Sequence, residues 1–168
     1  MPKVPELTAL RNMQSIYGPY GISVEFAGGE SLLLNSFETI VLSNVNAGTC
    51  MMGGTLSNDQ SLLFNMGSKQ GISLTDITVY YVNQLQTDGG AGLAGCATHP
   101  STRACVAVAS GGSRWTLGRE VGHVLGLSHV NDPTNVMHTP TAAITSNPPG
   151  FTAVQLTTIK ASRFTVAC

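Results

Sequence analysis

The segment Arg119-Glu120-Val121-Gly122-His123-Val124-Leu125-Gly126-Leu127-Ser128-His129 gathers a carboxylate, two imidazoles and a guanidinium in a short run, and Met137 follows in Thr134-Asn135-Val136-Met137. Glu120 and His123 are three residues apart and share one face of a helix, so the carboxylate would lie beside whatever the imidazole binds. His129 does not lie on that face by simple continuation of the helix. Gly126 supplies a way round. A glycine just past a helix end can take a left-handed conformation, turn the chain and return His129 towards His123. Taken singly, His123 would be a packed histidine bonded to a carbonyl, His129 a polar loop residue, Glu120 a solvated carboxylate and Met137 a filler of the core. Together, at these spacings, they point to a site.

The arrangement resembles the zinc-binding signature of the metzincin metallopeptidases, HExxHxxGxxH followed by a Met-turn. The resemblance is specific over residues 115–137 and looser along the rest of the chain, where helix, strands, active-site helix, Met-turn and C-terminal helix follow in the family's order. Carried over by residue, it implies Glu120 as the general base, His123 and His129 as two zinc ligands, Gly126 as the turning glycine and Met137 as the Met-turn methionine. It further implies one catalytic zinc ion and, as substrate, a peptide or protein lying extended across a cleft and pairing with an edge strand. The function so implied is that of a zinc-dependent metalloendopeptidase, in which a metal-activated water attacks the peptide carbonyl with Glu120 as base.

One position departs from the pattern. Arg119 stands where the first ligand histidine belongs, and a guanidinium offers five donors, no lone pair and a permanent charge. Catalytic zinc normally has three protein ligands, so two histidines should bind it weakly unless His99, His138, Asp132 or Glu120 completes the set. Alternatively, Arg119 takes over the electrostatic work of the metal by pairing with Glu120 and donating to a neutral histidine. A third possibility is a substitution in a parent that has histidine there. The expectation is therefore a metallopeptidase impaired or inactivated at one position; the alternative is a catalytically inactive metzincin-like module that binds a protein or peptide.

The elements that must position these residues can be read from pattern. Leu7, Leu10 and Met13 continue from Val4 at helical spacing and stop at Gly18-Pro19, predicting a helix near 5–17. Ile22 to Phe26 alternates as a strand, and Thr39 to Leu42 is β-branched enough to be another. Ser57 and Gln60 form a capping box opening a helix through Met66, and Thr152 with Gln155 opens a final helix running to about Arg163. Strands are expected at Ile77 to Asn83 and Val106 to Ala109, with the glycine-rich loop Asp88 to Gly95 between them. Leu117, Val121, Val124 and Leu125 mark the buried side of a helix from Trp115 to Leu127, which Gly118 and Gly122 each weaken by about 1 kcal/mol relative to alanine. Trp115 should seat the start of that helix, and Tyr80 and Tyr81 should face opposite ways. The Met51-Met52-Gly53-Gly54 run has no metal-site spacing, and no EF-hand pattern surrounds Asp88.

Composition bounds the rest. The chain has 168 residues, of which 42% are apolar, enough to bury a core, while 10% are charged, against about a quarter in ordinary domains. The formal net charge of −1 leaves no basic excess for a phosphate backbone, so nucleic acid is not an expected partner. No apolar run is long enough to span a bilayer, and no signal-peptide core opens the chain, so a mature form with no membrane partner is expected. Cys50, Cys96, Cys105 and Cys168 form no CxxC pair and read as disulfides in any of three pairings, which fits a secreted, extracellular or periplasmic protein. The fold expected is α/β (α+β): a metzincin-like zincin domain over 1–168, with a twisted mixed sheet and an upper part to residue 126. A lower part from 127 would carry the Met-turn and C-terminal helix, and the chain is expected to be a monomer.

Overall fold

The computed structural model describes residues 4–51, 54–68, 70–97 and 103–167. In chain order its elements are α1 (Val4–Tyr17), α2 (Ser36–Val41), β1 (Val45–Asn46), α3 (Asn58–Asn65), β2 (Ile77–Val82), β3 (Leu85–Gln86), β4 (Gly92–Leu93), β5 (Gly95–Cys96), β6 (Ala104–Ala109), α4 (Thr116–Val124) and α5 (Ala153–Ala161). The class is mixed, compatible with α+β. The chain divides into two compact units, one built from residues 28–112 and the other from residues 4–27 and 113–167.

Among the described residues the first unit holds the six strands. They form two three-stranded sheets rather than the single twisted sheet expected, in the orders β1-β3-β4 and β2-β6-β5. Each combines one parallel and one antiparallel pairing, with Ile77 opposite Ala104 and Val82 opposite Ala109 in the longest ladder. Every residue of β6 is buried, which explains why its sequence, ACVAVA, is uniformly apolar and small instead of alternating. Leu63 and Phe64 of α3 pack with Tyr80, Leu85 and Val45 in the core of this unit. The α3 capping box forms as expected: Ser57 Oγ accepts from the Gln60 amide at 3.0 Å, and Gln60 Oε1 accepts from the Ser57 amide at 3.0 Å. Tyr80 is buried and bonds the Phe64 and Met66 carbonyls, both at 3.2 Å, whereas Tyr81 faces outward.

Three expectations for the elements are corrected. Thr39 to Leu42 is not a strand: α2 covers most of it, because Asn35 and Glu38 form a reciprocal capping box with bonds of 2.9 and 2.8 Å that opens a helix just upstream. Local capping outweighs a β-branched tetrad that has no partner strand. Ile22 to Phe26 pairs with no strand among the described residues, and Phe26 is exposed rather than on a covered face; the Ile22 amide donates to the Tyr17 carbonyl at 3.4 Å and the Gln14 side chain to the Val24 carbonyl at 2.9 Å. The loop Asp88 to Gly95 is partly strand, since β4 turns back on β3, with Leu85 opposite Leu93.

Cys50 and Cys96 form a disulfide across 46 residues, with Cα atoms 5.7 Å apart. Cys105 is buried in β6. Cys168, His99 and the Met52-Gly53 part of the methionine-glycine run lie outside the described residues. Asp88 accepts from the Asn46 side chain at 3.1 Å, tying its loop to β1.

In the second unit α1 packs on α4. Tyr17 is buried and donates its hydroxyl to the Gly118 carbonyl at 2.9 Å, and a Cβ on Gly118 would lie 2.5 Å from Ile16 Cδ1. The glycine that weakens α4 locally thus permits this contact. Trp115 is buried at the start of α4, with the Arg114 guanidinium 4.3 Å above its ring. Leu117, Val121, Val124 and Leu125 are all buried, as the helical pattern requires.

The disulfide closes a loop of 46 residues in separation, so Cys50→Ser should lower stability by about 2–4 kcal/mol. Urea denaturation would show the loss as a lower midpoint, and reducing the wild-type chain should reproduce it.

Candidate functional site

The site is built where α4 ends. Gly126 has φ of 99°, and two bonds close the helix terminus around it: its amide donates to the His123 carbonyl at 3.0 Å, and the Leu127 amide donates to the Gly122 carbonyl at 2.9 Å. This is the Schellman arrangement, in which a left-handed residue reverses the chain. The reversal places the His123 and His129 rings 4.7 Å apart, with their Nε2 atoms separated by 3.0 Å.

Beneath the turn lies Met137, fully buried. A Cβ on Gly122 would meet Met137 Sδ at 2.5 Å, so the absence of a side chain on α4 lets the methionine sit directly against the helix. Asn135 holds this turn. Its Oδ1 accepts from the Met137 amide at 2.9 Å, while its amide group and that of buried Gln155 bond each other reciprocally at 2.8 and 3.2 Å. Gln155 Oε1 also accepts from the Thr152 amide at 2.8 Å, so the α5 capping box and the methionine turn share one side chain. Sequence reasoning identified Gln155 only as a cap and did not single out Asn135. A polar residue in a turn carries no mark in sequence of a partner 20 positions away.

The charged groups meet in one place. Arg119 Nη1 donates to Glu120 Oε1 at 2.5 Å, and Nη2 bonds His129 Nε2. Glu120 is 2% exposed and the Arg119 side chain 12%. Arg119 Nε is buried with no described partner. His123 Nδ1 lies 2.8 Å from the Leu127 carbonyl, which can only accept, so Nδ1 carries the proton. Burial holds the His123 ring down to about 4, with Arg119 and His129 acting in the same sense and the Leu127 bond against them. The ring is therefore neutral near pH 7, and its Nε2 presents a lone pair. His129 Nε2 uses its lone pair to accept from Arg119, since a guanidinium can only donate. His129 is also shifted down, by burial and by Arg119. Burial pushes the Glu120 carboxyl up to about 7, with Arg119 pulling it back.

Sequence placed Glu120, His123, His129, Gly126 and Met137 in one site, and the structure brings them to the end of one helix together with Arg119. Of the further candidate donors, neither Asp132 nor His138 joins them in a metal-holding group among the described residues, and His99 lies outside those residues. Among the described residues no group of three or more His, Cys, Asp or Glu side chains is placed to hold a metal ion. The Asp132 carboxylate accepts from the Thr134 amide and hydroxyl at 2.8 and 2.7 Å, which lowers its pKa. His138 follows the methionine, with Nδ1 buried and no described partner.

Comparison with protein-family models, with curated proteins and with solved structures gives no match.

Two outcomes follow from this geometry. Gly122→Ala should cost about 1–3 kcal/mol in thermal or urea unfolding, because the added methyl group must displace a fully buried methionine. The second concerns pH. Glu120 titrates in the fold near 7, above its ordinary 4.5, so the folded state binds more protons through that window and the carboxyl's contribution falls as pH rises. His123 has the opposite sign between about 4 and 6.5, and comparison with Glu120→Gln largely subtracts it. The stability of wild type relative to Glu120→Gln should decline from pH 4.5 to 7, by on the order of 1–3 kcal/mol in urea titrations at stepped pH. A flat difference would mean that the folded carboxyl stays ionised throughout.

Proposed function

We propose that this chain is a metzincin-type metallopeptidase domain for peptide-bond hydrolysis whose site is silenced by Arg119. One observation carries the reading: a buried carboxylate, two neutral imidazoles and a close-packed methionine surround a single helix end, and the residue at the first-ligand position bridges the carboxylate and one imidazole. Glu120 is suited to act as a general base, since a carboxyl titrating near 7 is poised to exchange a proton at neutral pH. The Nδ1 bond from His123 to a backbone carbonyl is the kind of contact that orients a ligating imidazole.

The donor set as it stands does not fit a catalytic zinc ion. Two imidazoles are present where three protein ligands are the rule, and a permanent cation bonds one of them. The chain as written is accordingly expected to hydrolyse peptides weakly or not at all. The same bridge favours a second reading, in which the domain binds a peptide or protein without cleaving it. The Cys50–Cys96 disulfide supports an oxidising, extracytoplasmic setting. Among the described residues no helix is long and apolar enough to cross a membrane.

Elemental analysis for zinc, with a quenched-peptide assay on the same samples, tests the proposal. Wild type should carry little zinc and show little turnover. Arg119→His should approach one zinc per chain and gain hydrolysis that Glu120→Ala abolishes in the same background. Stoichiometric zinc with ready turnover in wild type would sink the silencing, and an Arg119→His chain that folds but takes no zinc would sink the metallopeptidase reading.

A further inference from the structure

We propose that Arg119 is the resident cation of this site: a tethered guanidinium that occupies the place which a metal ion or a proton would otherwise have to take beside the two histidines. The argument rests on where the lone pairs point. His123 Nδ1 is committed as a donor to the Leu127 carbonyl, so the ring nitrogen left to face the site is Nε2. His129 Nε2 accepts from Arg119. These two nitrogens stand 3.0 Å apart. Positive charge bonded to one of them therefore lies close to both, and the guanidinium on His129 Nε2 supplies it.

Glu120 adds a second demand for the same charge. Its carboxyl is almost wholly buried, and a buried carboxylate without a cation is costly. One planar guanidinium meets both demands with its two terminal nitrogens, one to the carboxylate and one to the imidazole. It does so while leaving its own Nε buried without a described partner. The placement therefore follows the pull of Glu120 and His129 rather than the satisfaction of the arginine itself. Lysine, a point charge without the fork, would not span both acceptors equally. A divalent metal can approach the facing nitrogens only by displacing the guanidinium, so the wild-type site is complete without metal and Arg119 sets its cation requirement. None of this requires the domain to cleave peptides.

The experiment compares the whole wild-type chain with Arg119→Met and Arg119→Lys, each treated with chelator, with zinc alone and with methylguanidinium. Wild type should melt at the same temperature in all conditions, within about 1 °C. Arg119→Met should melt several degrees lower in chelator and regain about half or more of the loss with zinc or methylguanidinium. Its zinc affinity should exceed that of wild type by about tenfold or more, and a His123→Ala change should remove the gain. Imidazole 15N spectra give a readout that simple packing loss would not move. Both Nε2 atoms should be unprotonated in wild type, and one should become protonated, or shift on adding zinc, in Arg119→Met. If Arg119→Met folds only with zinc, the proposal stands. If it does not fold at all, Arg119→Lys decides, since it should retain the charge, lose part of the stability and gain zinc response smaller than the tenfold above. Zinc bound by wild type through His123 as tightly as by Arg119→Met, or an Arg119→Met chain that matches wild type in melting and in 15N pattern, would overturn it. Failure of Arg119→His to cleave peptides would bear on the peptidase reading and leave these outcomes unaffected.

Discussion

A buried carboxylate and two imidazoles whose Nε2 atoms face each other meet at the end of α4, and the guanidinium of Arg119 supplies positive charge among them. The groups are neither independent nor interchangeable. Burial raises the proton affinity of Glu120 and lowers that of both histidines, and Arg119 opposes the first shift and reinforces the second. A low-dielectric setting strengthens each of these terms relative to water. Removing Arg119 leaves Glu120 and His129 without their shared partner, so the cation binds the group into a single electrostatic unit.

That unit can exist only because the backbone brings its members together. The left-handed Gly126 reverses the chain after α4, and without the reversal His129 would be carried away from His123 along the helix direction. Gly122 leaves room for Met137 to lie directly against the helix, and the Asn135–Gln155 pair fixes the methionine turn to α5. Thr116 and Thr141 add a further buried hydroxyl pair at 3.2 Å between α4 and the segment after the turn. The floor of the site is thus made by close packing and by paired amides, both of which are intolerant of small changes in volume or geometry.

The first unit is stabilised by other means. A fully apolar β6 lies between β2 and β5, α3 covers part of the core, and the Cys50–Cys96 link limits the unfolded chain. Arg119, Glu120, His123, His129 and Met137 all belong to the second unit. The charge network at α4 draws its partners from short-range chain reversal, and α5 enters only through the Gln155 clasp on the methionine turn.

Where a signal was local, sequence carried it: the Ser57–Gln60 and Thr152–Gln155 boxes open their helices, the apolar side of α4 is buried, and β2 and β6 lie near their expected bounds. The spacing of Glu120, His123, Gly126 and His129 was enough to place them together, since a helix turn and one left-handed glycine are both short-range geometry. Strand assignments failed where pairing was needed, at Ile22 to Phe26 and Thr39 to Leu42, because alternation and branching have no effect without a neighbouring strand to bond. The split into two sheets, the Cys50–Cys96 pairing, the Asn135–Gln155 clasp and the direction taken by the Arg119 side chain were decided by tertiary structure alone. Each depends on contacts between residues distant in the chain or on a choice among rotamers, and neither is encoded in the order of residues around the group concerned.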